Sequence, residues 1–257
     1  MAILNSFYYD GISSRERGLV IESKSILNGP EPRLQEHEIP GRDGTAYLFE
    51  GSYHNVEISY TTFLKVCREE ELPQRAGALK AWLLGKPGKY LRLEDDYDLD
   101  HYRLADYAGG LDFENLWKLF ARQTVTFSCK PYRYFREGDN RVSSQGDSLT
   151  VFNPTGFTSL PILELYLGMK FSGDVTIQAN YEDGASYQQI LTGVPARLVG
   201  TSLTLDSQEQ LVRSSTGELV QSAELEEFLR LKPGRTEITV TCSGLSGFGV
   251  IPRWREL

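Results

Sequence analysis

An alternating segment near the middle of the chain, Thr124 to Tyr134, separates two halves of different character. Its sequence, TVTFSCKPYRY, begins with apolar side chains at every second position, a period typical of a half-buried strand. Those positions are Val125, Phe127 and Cys129. Pro131 lacks an amide hydrogen, so we expect a central strand to end soon after it. The polar, turn-rich stretch Arg136 to Ser148 then predicts a linker.

The chain is long enough for two domains, because 257 residues exceed the usual domain length of about 100–150. The linker lies near the midpoint and predicts domains over residues 1–136 and 137–257. The terminal IPRWREL either packs on the second domain or returns to the first. With 40% hydrophobic and 24% charged residues, the composition is that of a globular protein.

Charge and hydrophobic patterning argue against several classes of protein. No apolar run approaches the ~18 residues of a spanning helix, and the start MAILNSFYYDG lacks a basic region and an apolar core. We therefore expect no membrane anchor and no signal peptide. The net charge of −8 argues against a basic groove for nucleic acid. Cys67, Cys129 and Cys242 are odd in number and far apart, and we interpret them as free, buried thiols.

The first half reads as strands and turns around one helix. Asp10-Gly11 predicts a hairpin turn, because both residues tolerate positive φ, and the apolar GLVI at Gly18 to Ile21 predicts a strand. The prolines and glycine of Asn28 to Pro32 predict a loop. The helix is expected over Glu69 to Leu84, with Pro73 in its first turn. Its apolar stripe is Ala76, Leu79, Trp82 and Leu83.

The segment IPGRDG precedes the alternating core strand at Val56, Ile58 and Tyr60, and predicts a long exposed β-loop. Its residues are Ile39, Pro40, Gly41, Arg42, Asp43 and Gly44. Glycines beside a basic residue also occur in phosphate-binding loops, but no strand-to-helix context and no Gly-Lys-Ser/Thr follows here. The phosphate interpretation is therefore disfavoured.

An acidic cluster lies between two predicted strands in Lys89 to Tyr107. Its members are Asp95, Asp96, Asp98 and Asp100. Calcium is one possible ligand. A calcium loop starting at Asp96, however, would need a glycine where this chain has His101 and a glutamate where it has Tyr107. A glycosidase carboxylate pair would need a cleft, so we expect a solvated hairpin tip.

Leu111 to Phe120 is ambiguous between a short helix and an irregular approach to the strand at Thr124. After the linker, turn signals recur at intervals of roughly 8–12 residues, which predicts a sandwich or jelly roll without a helix. Separate strands are expected at LPILELYL and GDVTIQAN, among others. Leu225 to Gly234 is expected to be a loop or an edge.

Catalytic signatures are weak throughout. No Gly-x-Ser-x-Gly motif, metal-binding histidine pair or local Cys-His signature occurs. The histidines, His37, His54 and His101, all lie in the first half. We therefore expect a protein that is not an enzyme, although residues distant in sequence could still assemble a site.

Several blocks, taken in order, carry a family resemblance. In the first half they are FYYDGISS, GLVI, IPGRDG, AWLLGKPGKYLRL, HYRLA and TVTFSCKPYRY. In the second half they are LPILELYL, SLTLD, LKPGRTEITV and IPRWREL. Their order over nearly the whole chain resembles the distal tail protein (Dit) family of long-tailed, non-contractile phages that infect Gram-positive bacteria.

The resemblance implies a mainly β protein of two domains. The first would be a tail-tube-like β-sandwich with one flanking helix, and the second a galectin-like β-sandwich. The family forms a ring, a hexamer, at the tail tip of the virion, after synthesis in the host cytoplasm. The ring joins the major tail tube protein to a tail-associated fibre or lysin protein and to the receptor-binding protein. DNA would pass through without specific binding, and neither a cofactor nor a membrane is implied.

Two expectations remain open at this point. A closed ring needs two different faces on each subunit, so Ile39 to Gly44 is a candidate contact with a neighbouring subunit, the alternative being a mobile surface loop. The second domain is alternatively a carbohydrate-binding module for host glycans. Galectin-type sugar sites use a histidine and a stacking tryptophan, whereas from Phe135 onward there is no histidine and the only tryptophan is Trp254. This departure disfavours sugar binding.

Overall fold

The computed structural model describes residues 5–110, 113–117, 119–144 and 146–257. The chain divides into two compact units, Met1–Arg133 together with Leu257, and Tyr134–Glu256. Both units are built from strands, and the described ranges contain a single α-helix. The prediction of a mainly β chain with one helix is confirmed.

The first unit contains one large sheet and one separate hairpin. Its strands are β1 (Phe7–Tyr9), β2 (Ile12–Ser13), β3 (Leu19–Ser25), β4 (Pro32–Glu38), β5 (Thr45–Tyr53), β6 (Val56–Lys65), β7 (Leu91–Asp95), β8 (Asp98–Tyr107), β9 (Glu114–Trp117) and β10 (Phe120–Phe135). The large sheet has the order β2-β1-β7-β8-β10-β6-β3, with β9 also on β10, while β4 and β5 pair only with each other. Within this sheet, β10 and β6 form a long antiparallel pair.

Local predictions in the first unit agree with the structure. Asp10 and Gly11, at φ 54° and 75°, form the turn between β1 and β2. The helix α1 (Leu72–Leu84) follows a short 3₁₀ turn over Glu69–Glu71. Leu79 and Leu83 are buried, and the rest of the predicted stripe packs partly buried against the same core. The predicted helix and its apolar face are therefore confirmed.

The strand at Thr124 ends soon after Pro131, as expected, because β10 ends at Phe135. Pairing with β6 ends at Cys129, so on that side Pro131 removes no ladder hydrogen bond. The predicted linker, Arg136 to Ser148, is wrong. It contains a 3₁₀ turn over Arg136–Asp139 with buried Gly138, and the strand β11 (Val142–Ser144).

The segment Leu111 to Phe120 forms a short strand where the expectation was a helix or an irregular approach. Glu114–Trp117 forms strand β9, which pairs with β10 through Glu114 opposite Arg122. Leu111, Asp112 and Lys118 lie outside the described residues. The extra strand pairing available on β10 explains why the weak helical pattern does not decide the local structure.

The second unit is a seven-stranded sheet. After β11 its strands are β12 (Ser148–Asn153), β13 (Ile162–Tyr181), β14 (Ser186–Leu191), β15 (Ser202–Asp206), β16 (Leu211–Ser214) and β17 (Gly234–Ile251). A short strand, β18 (Arg255–Glu256), follows. LPILELYL and GDVTIQAN, expected as separate strands, are joined in β13. No α-helix occurs in the described part of this unit, as predicted.

Two long strands, β13 and β17, each contribute to both layers of the second unit. The first half of β13 pairs with β15, and its second half pairs with β14, with register shifts against β17 between Tyr166 and Thr176. Buried residues from both halves, such as Leu165 and Ile177, belong to one core. The bent strands therefore fold the sheet over a single core, as in a sandwich.

Glycines permit this bend because the two strands approach closely there. Gly244 has φ 76°, and a Cβ at this position would lie 2.4 Å from the backbone of Lys170 and Phe171. A Cβ on Gly168 would lie 2.8 Å from the carbonyl oxygen of Gly244. Neither position therefore accepts a side chain without backbone movement.

The cysteines are free, as expected, but only in part buried. Cys129 is buried in the core of the first unit, and burial raises the pKa of its thiol to about 12. Cys242 is half-buried, whereas Cys67 is exposed, which corrects the prediction for that residue.

Candidate interaction site

The pair β4 and β5, with the turn between them, forms a projecting element that we call the hairpin arm (Pro32–Tyr53). Its strands pair only with each other, in a sheet separate from the large one. Every residue of β4 is exposed, and most of β5 is exposed too. A two-stranded sheet open on both faces is marginally stable alone in water, so the arm is suited to contact with a partner.

One face of the arm carries several of its exposed apolar side chains. The register places Leu34 opposite Phe49 and Glu36 opposite Tyr47, and these pairs share a face because side chains alternate along a strand. Leu34, Tyr47 and Phe49 are 44%, 62% and 47% exposed. Exposed aromatic side chains grouped on one face are typical of protein contact surfaces.

The predicted contact loop, Ile39 to Gly44, is the tip of the hairpin arm. Arg42 donates its amide hydrogen to the carbonyl oxygen of Ile39 at 3.1 Å, and Gly41 and Gly44 have φ near 80° (80° and 83°). All six residues of the tip are exposed. Ile39 is its one large apolar side chain, so most of the exposed apolar surface lies on the strands behind the tip.

Hydrogen bonds close the base of the arm and join the residue pair that follows it, His54 and Asn55, to the first unit. His54 donates its amide hydrogen to the carbonyl oxygen of Glu31 at 2.8 Å. The side-chain amide of Asn55 donates to the Tyr90 hydroxyl at 2.7 Å and to the Ser128 hydroxyl at 2.9 Å. The arm therefore projects from a defined base.

The acidic cluster is not simply a solvated hairpin tip. Asp95 is buried and accepts a hydrogen bond from the Lys24 ammonium at 2.7 Å. Asp98 contacts His101 at 2.6 Å and Arg133 at 3.0 Å. Cation partners occupy these carboxylates because a buried or half-buried charge is costly without one. Asp100, by contrast, is exposed.

Burial changes the chemistry of two groups near Asp95. Burial, reinforced by the charge of Asp95, raises the pKa of the Tyr60 phenol well above its ordinary value. Burial also lowers the pKa of the Arg103 guanidinium, and the charge of Arg133 adds to that effect. The cavity lined by these groups measures about 40 Å³, room for water rather than for a substrate.

The described residues bear on metal binding and on membrane insertion. Within them, no three His, Cys, Asp or Glu side chains are arranged to hold a metal ion. Among the same residues, no helix has the length and apolar character needed to cross a bilayer.

Comparison with known proteins gives structural matches only. No protein-family model matches the chain, and no curated protein sequence does. The crystal structure of SPP1 Dit (gp 19.1), described as a paradigm of the hub adsorption apparatus in phages infecting Gram-positive bacteria, is similar with a TM-score of 0.74 and 15% identity. That match covers 98% of this chain and 99% of the SPP1 chain.

Two structures of the phage P2 baseplate in its activated conformation are also similar. The structure with Ca has a TM-score of 0.58 at 11% identity and covers 96% of this chain and 97% of the other. The structure with Sr has a TM-score of 0.60 at 10% identity and covers 98% of both chains. The resemblance to distal tail proteins thus holds at the level of structure, and the chain has the fold of SPP1 Dit.

Proposed function

We propose that this chain is a structural hub at the distal end of a phage tail. It forms a ring, a hexamer, that joins the major tail tube protein to a tail-associated fibre or lysin protein and to the receptor-binding protein. The observation that carries the proposal is the match to SPP1 Dit over 98% of this chain, which includes both units. In this proposal the hub is located at the tail tip of the virion.

The two units have separate roles in this proposal. The first, predicted as residues 1–136, is the tail-tube-like, ring-forming domain, and its exposed hairpin arm supplies surface for a neighbouring subunit. The second, residues 137–257, is a galectin-like sandwich that docks other tail proteins. The net charge of −8 suits a ring through which DNA passes without being held.

The buried groups favour a structural role over sugar binding. Trp254, the tryptophan available in the second unit for stacking on a sugar ring, is only 7% exposed and belongs to the core. Asp95 and Asp98, the carboxylates considered for catalysis or calcium, are engaged by Lys24 and Arg133. We therefore assign these residues to folding, and we assign the protein no catalytic activity.

Native mass measurement of the purified full chain, with electron microscopy of the same sample, tests this proposal. We expect rings whose mass is six times that of one chain, in increasing proportion as protein concentration rises. A glycan array and a peptidoglycan-release assay serve as controls for the alternative functions. The proposal is wrong if the chain stays monomeric alone and with its tail tube protein, or if it turns over peptidoglycan.

A further inference from the structure

We propose that an apolar groove in the second unit binds an extended, basic segment of another tail protein. The groove is lined by residues at β16 and by residues of the segment 218–228, which we call the crossing segment. Its volume is about 290 Å³, near the lower end of ligand pockets, which start at about 300 Å³. The inference rests on the proposed hub, in which the second unit docks other tail proteins, and it names the surface and the chemistry of the partner.

Backbone hydrogen bonds hold the crossing segment in place at two points. Val220 donates its amide hydrogen to the carbonyl oxygen of Val212 in β16 at 2.9 Å. Further along, Glu224 and Thr192, the residue after β14, exchange two backbone hydrogen bonds at 3.1 and 3.2 Å. The groove is therefore formed before a partner arrives, which lowers the entropic cost of binding.

Most side chains that line the groove are apolar. Leu225 and Phe228 are partly buried and pack against the core of the second unit. Leu219, on the same groove, is 47% exposed. A large apolar side chain of a partner would be buried against these residues, and such anchors supply much of the binding energy at protein interfaces.

The surroundings of the groove are acidic. Glu224 carries the only charge among the described residues that line it. Glu218 and Glu226 directly adjoin lining residues in sequence. These three glutamates are exposed, and none has an ion-pair partner in the described part of the chain, whereas Glu227 lies 3.8 Å from Arg230. A partner that places lysine or arginine beside an apolar anchor complements both properties of the groove.

Other classes of ligand fit the groove less well. A sugar needs several polar side chains to fix its hydroxyl groups, and the described lining supplies only Gln210, Gln221 and Glu224. A nucleic acid would meet carboxylates where its phosphates need cations. Arg213 of β16 is not among the lining residues, and its guanidinium donates to the carbonyl oxygen of Gly217 at 3.3 Å. A protein segment supplies an apolar anchor together with cations, so it is the occupant that the groove favours.

Synthetic fluorescent peptides test the groove in the full chain. The probe peptide has a central tryptophan flanked by lysines. In one control peptide glutamates replace the lysines, and in the other a serine replaces the tryptophan. Binding is measured by fluorescence anisotropy at several salt concentrations. We expect the probe to bind at least about tenfold more tightly than either control, and the advantage over the glutamate peptide should shrink at high salt.

Charge reversal locates binding at the acidic surroundings of the groove. Glu224→Lys with Glu226→Lys should weaken binding of the probe by about tenfold or more and should strengthen binding of the glutamate peptide. The urea midpoint should not change, because both side chains are exposed and Glu224 contacts Thr192 through its backbone. The matched control is Asp174→Lys with Glu237→Lys, at exposed positions of the second unit that do not line the groove, and it should bind both peptides like the unchanged chain.

A second variant tests the apolar part of the groove. Leu219→Ser should weaken binding of the probe by about fivefold, the loss expected when an interface side chain worth about 1 kcal/mol is removed. The control is Ile190→Ser, at a position 50% exposed outside the groove, and it should bind the probe like the unchanged chain.

Native mass measured on the same samples separates failure of this inference from failure of the hub. The inference is wrong if the probe binds no better than the control peptides, or if the groove variants bind it as tightly as the unchanged chain. Rings that do not bind the probe keep the proposed function and remove the groove. A chain that binds the probe but stays monomeric, alone and with its tail tube protein, keeps the groove as a peptide site and removes the hub. Groove variants that change the ring mass but not peptide binding assign the groove to a second copy, which also overturns the inference.

Discussion

The hairpin arm of the first unit leaves Tyr47 and Phe49 open to solvent, whereas the second unit folds two long strands, β13 and β17, over one core. In the arm, the two strands pair only with each other, and most of their residues are exposed. In the second unit, most of the pairing passes through the bent strands. The difference suggests that changes at the core or the bend affect folding, and that changes on the arm affect assembly.

The largest effect is expected from Phe127→Ala. Phe127 is fully buried, and its ring lies 4.9 Å from that of Tyr9 and 5.6 Å from that of Phe7, so truncation leaves a cavity in the first unit. We expect a loss of about 3–5 kcal/mol. Hydrogen exchange, resolved by peptide, should show the loss in the first unit. Phe152→Ala, at a position 63% exposed, is the control and should change stability by less than about 0.5 kcal/mol.

The bend of the second unit gives the next effect. Gly244→Ala combines a left-handed backbone with a Cβ 2.4 Å from backbone atoms, and we expect a loss of about 3 kcal/mol. Gly184→Ala is the matched control, since Gly184 also has positive φ, 81°, but has open space around it. It should lose about 1–2 kcal/mol in urea unfolding. Equal losses for the two variants would show that close strand approach does not hold the bend.

The structure could be predicted from the sequence where the deciding interactions are local. The Asp10-Gly11 turn and the stripe of α1 follow from backbone preference and helical period over a few residues. The structure of the segment Arg136 to Ser148 could not be predicted, because its partners are remote in sequence. Val142 pairs with Val250, and a Cβ on Gly138 would lie 2.4 Å from the amide nitrogen of Trp254. A polar, turn-rich sequence gives no sign of such contacts.

The candidate site shows the same limit. The exposed loop at Ile39 to Gly44 was recognisable from its glycines, and the structure places it at the tip of a hairpin. The contact of Lys130 with Tyr90 was not recognisable from the sequence, because only the fold brings the ammonium group to 5.0 Å from the ring.

A smaller, pH-dependent effect is expected in the second unit from Asp206. Burial alone would raise the pKa of the Asp206 carboxyl, but two hydrogen bonds and the charge of Arg253 outweigh burial and lower the pKa below 3.8. A lowered folded pKa stabilises the protein above about pH 4, and this contribution disappears as the pH falls through the folded value. Asp206→Asn should cost about 2 kcal/mol at neutral pH and less in acid.

Urea unfolding of both proteins between neutral pH and about pH 2.5 measures this difference. The hydrogen bonds that the amide hydrogens of Gln208 and Glu209 donate to Asp206 can persist with asparagine, so the variant removes the ionic interaction with Arg253 and the hydrogen bond that Arg253 donates to the second carboxylate oxygen. A difference that stays constant over the whole range would mean that ionisation of Asp206 does not contribute.

The smallest effect on folding, and the sharpest test of the contrast between the units, is expected from Tyr47→Ser. Tyr47 is 62% exposed on the arm, so its loss should change the free energy of unfolding by less than about 0.5 kcal/mol. Assembly should weaken measurably, because truncation of an aromatic residue buried at an interface often costs more than about 1 kcal/mol. The control, Ile190→Ser, removes an apolar side chain 50% exposed on β14 of the second unit and should leave both quantities unchanged. If Tyr47→Ser unfolds the first unit, the arm contributes to its core; if Ile190→Ser alone impairs assembly, the ring contact lies on the second unit.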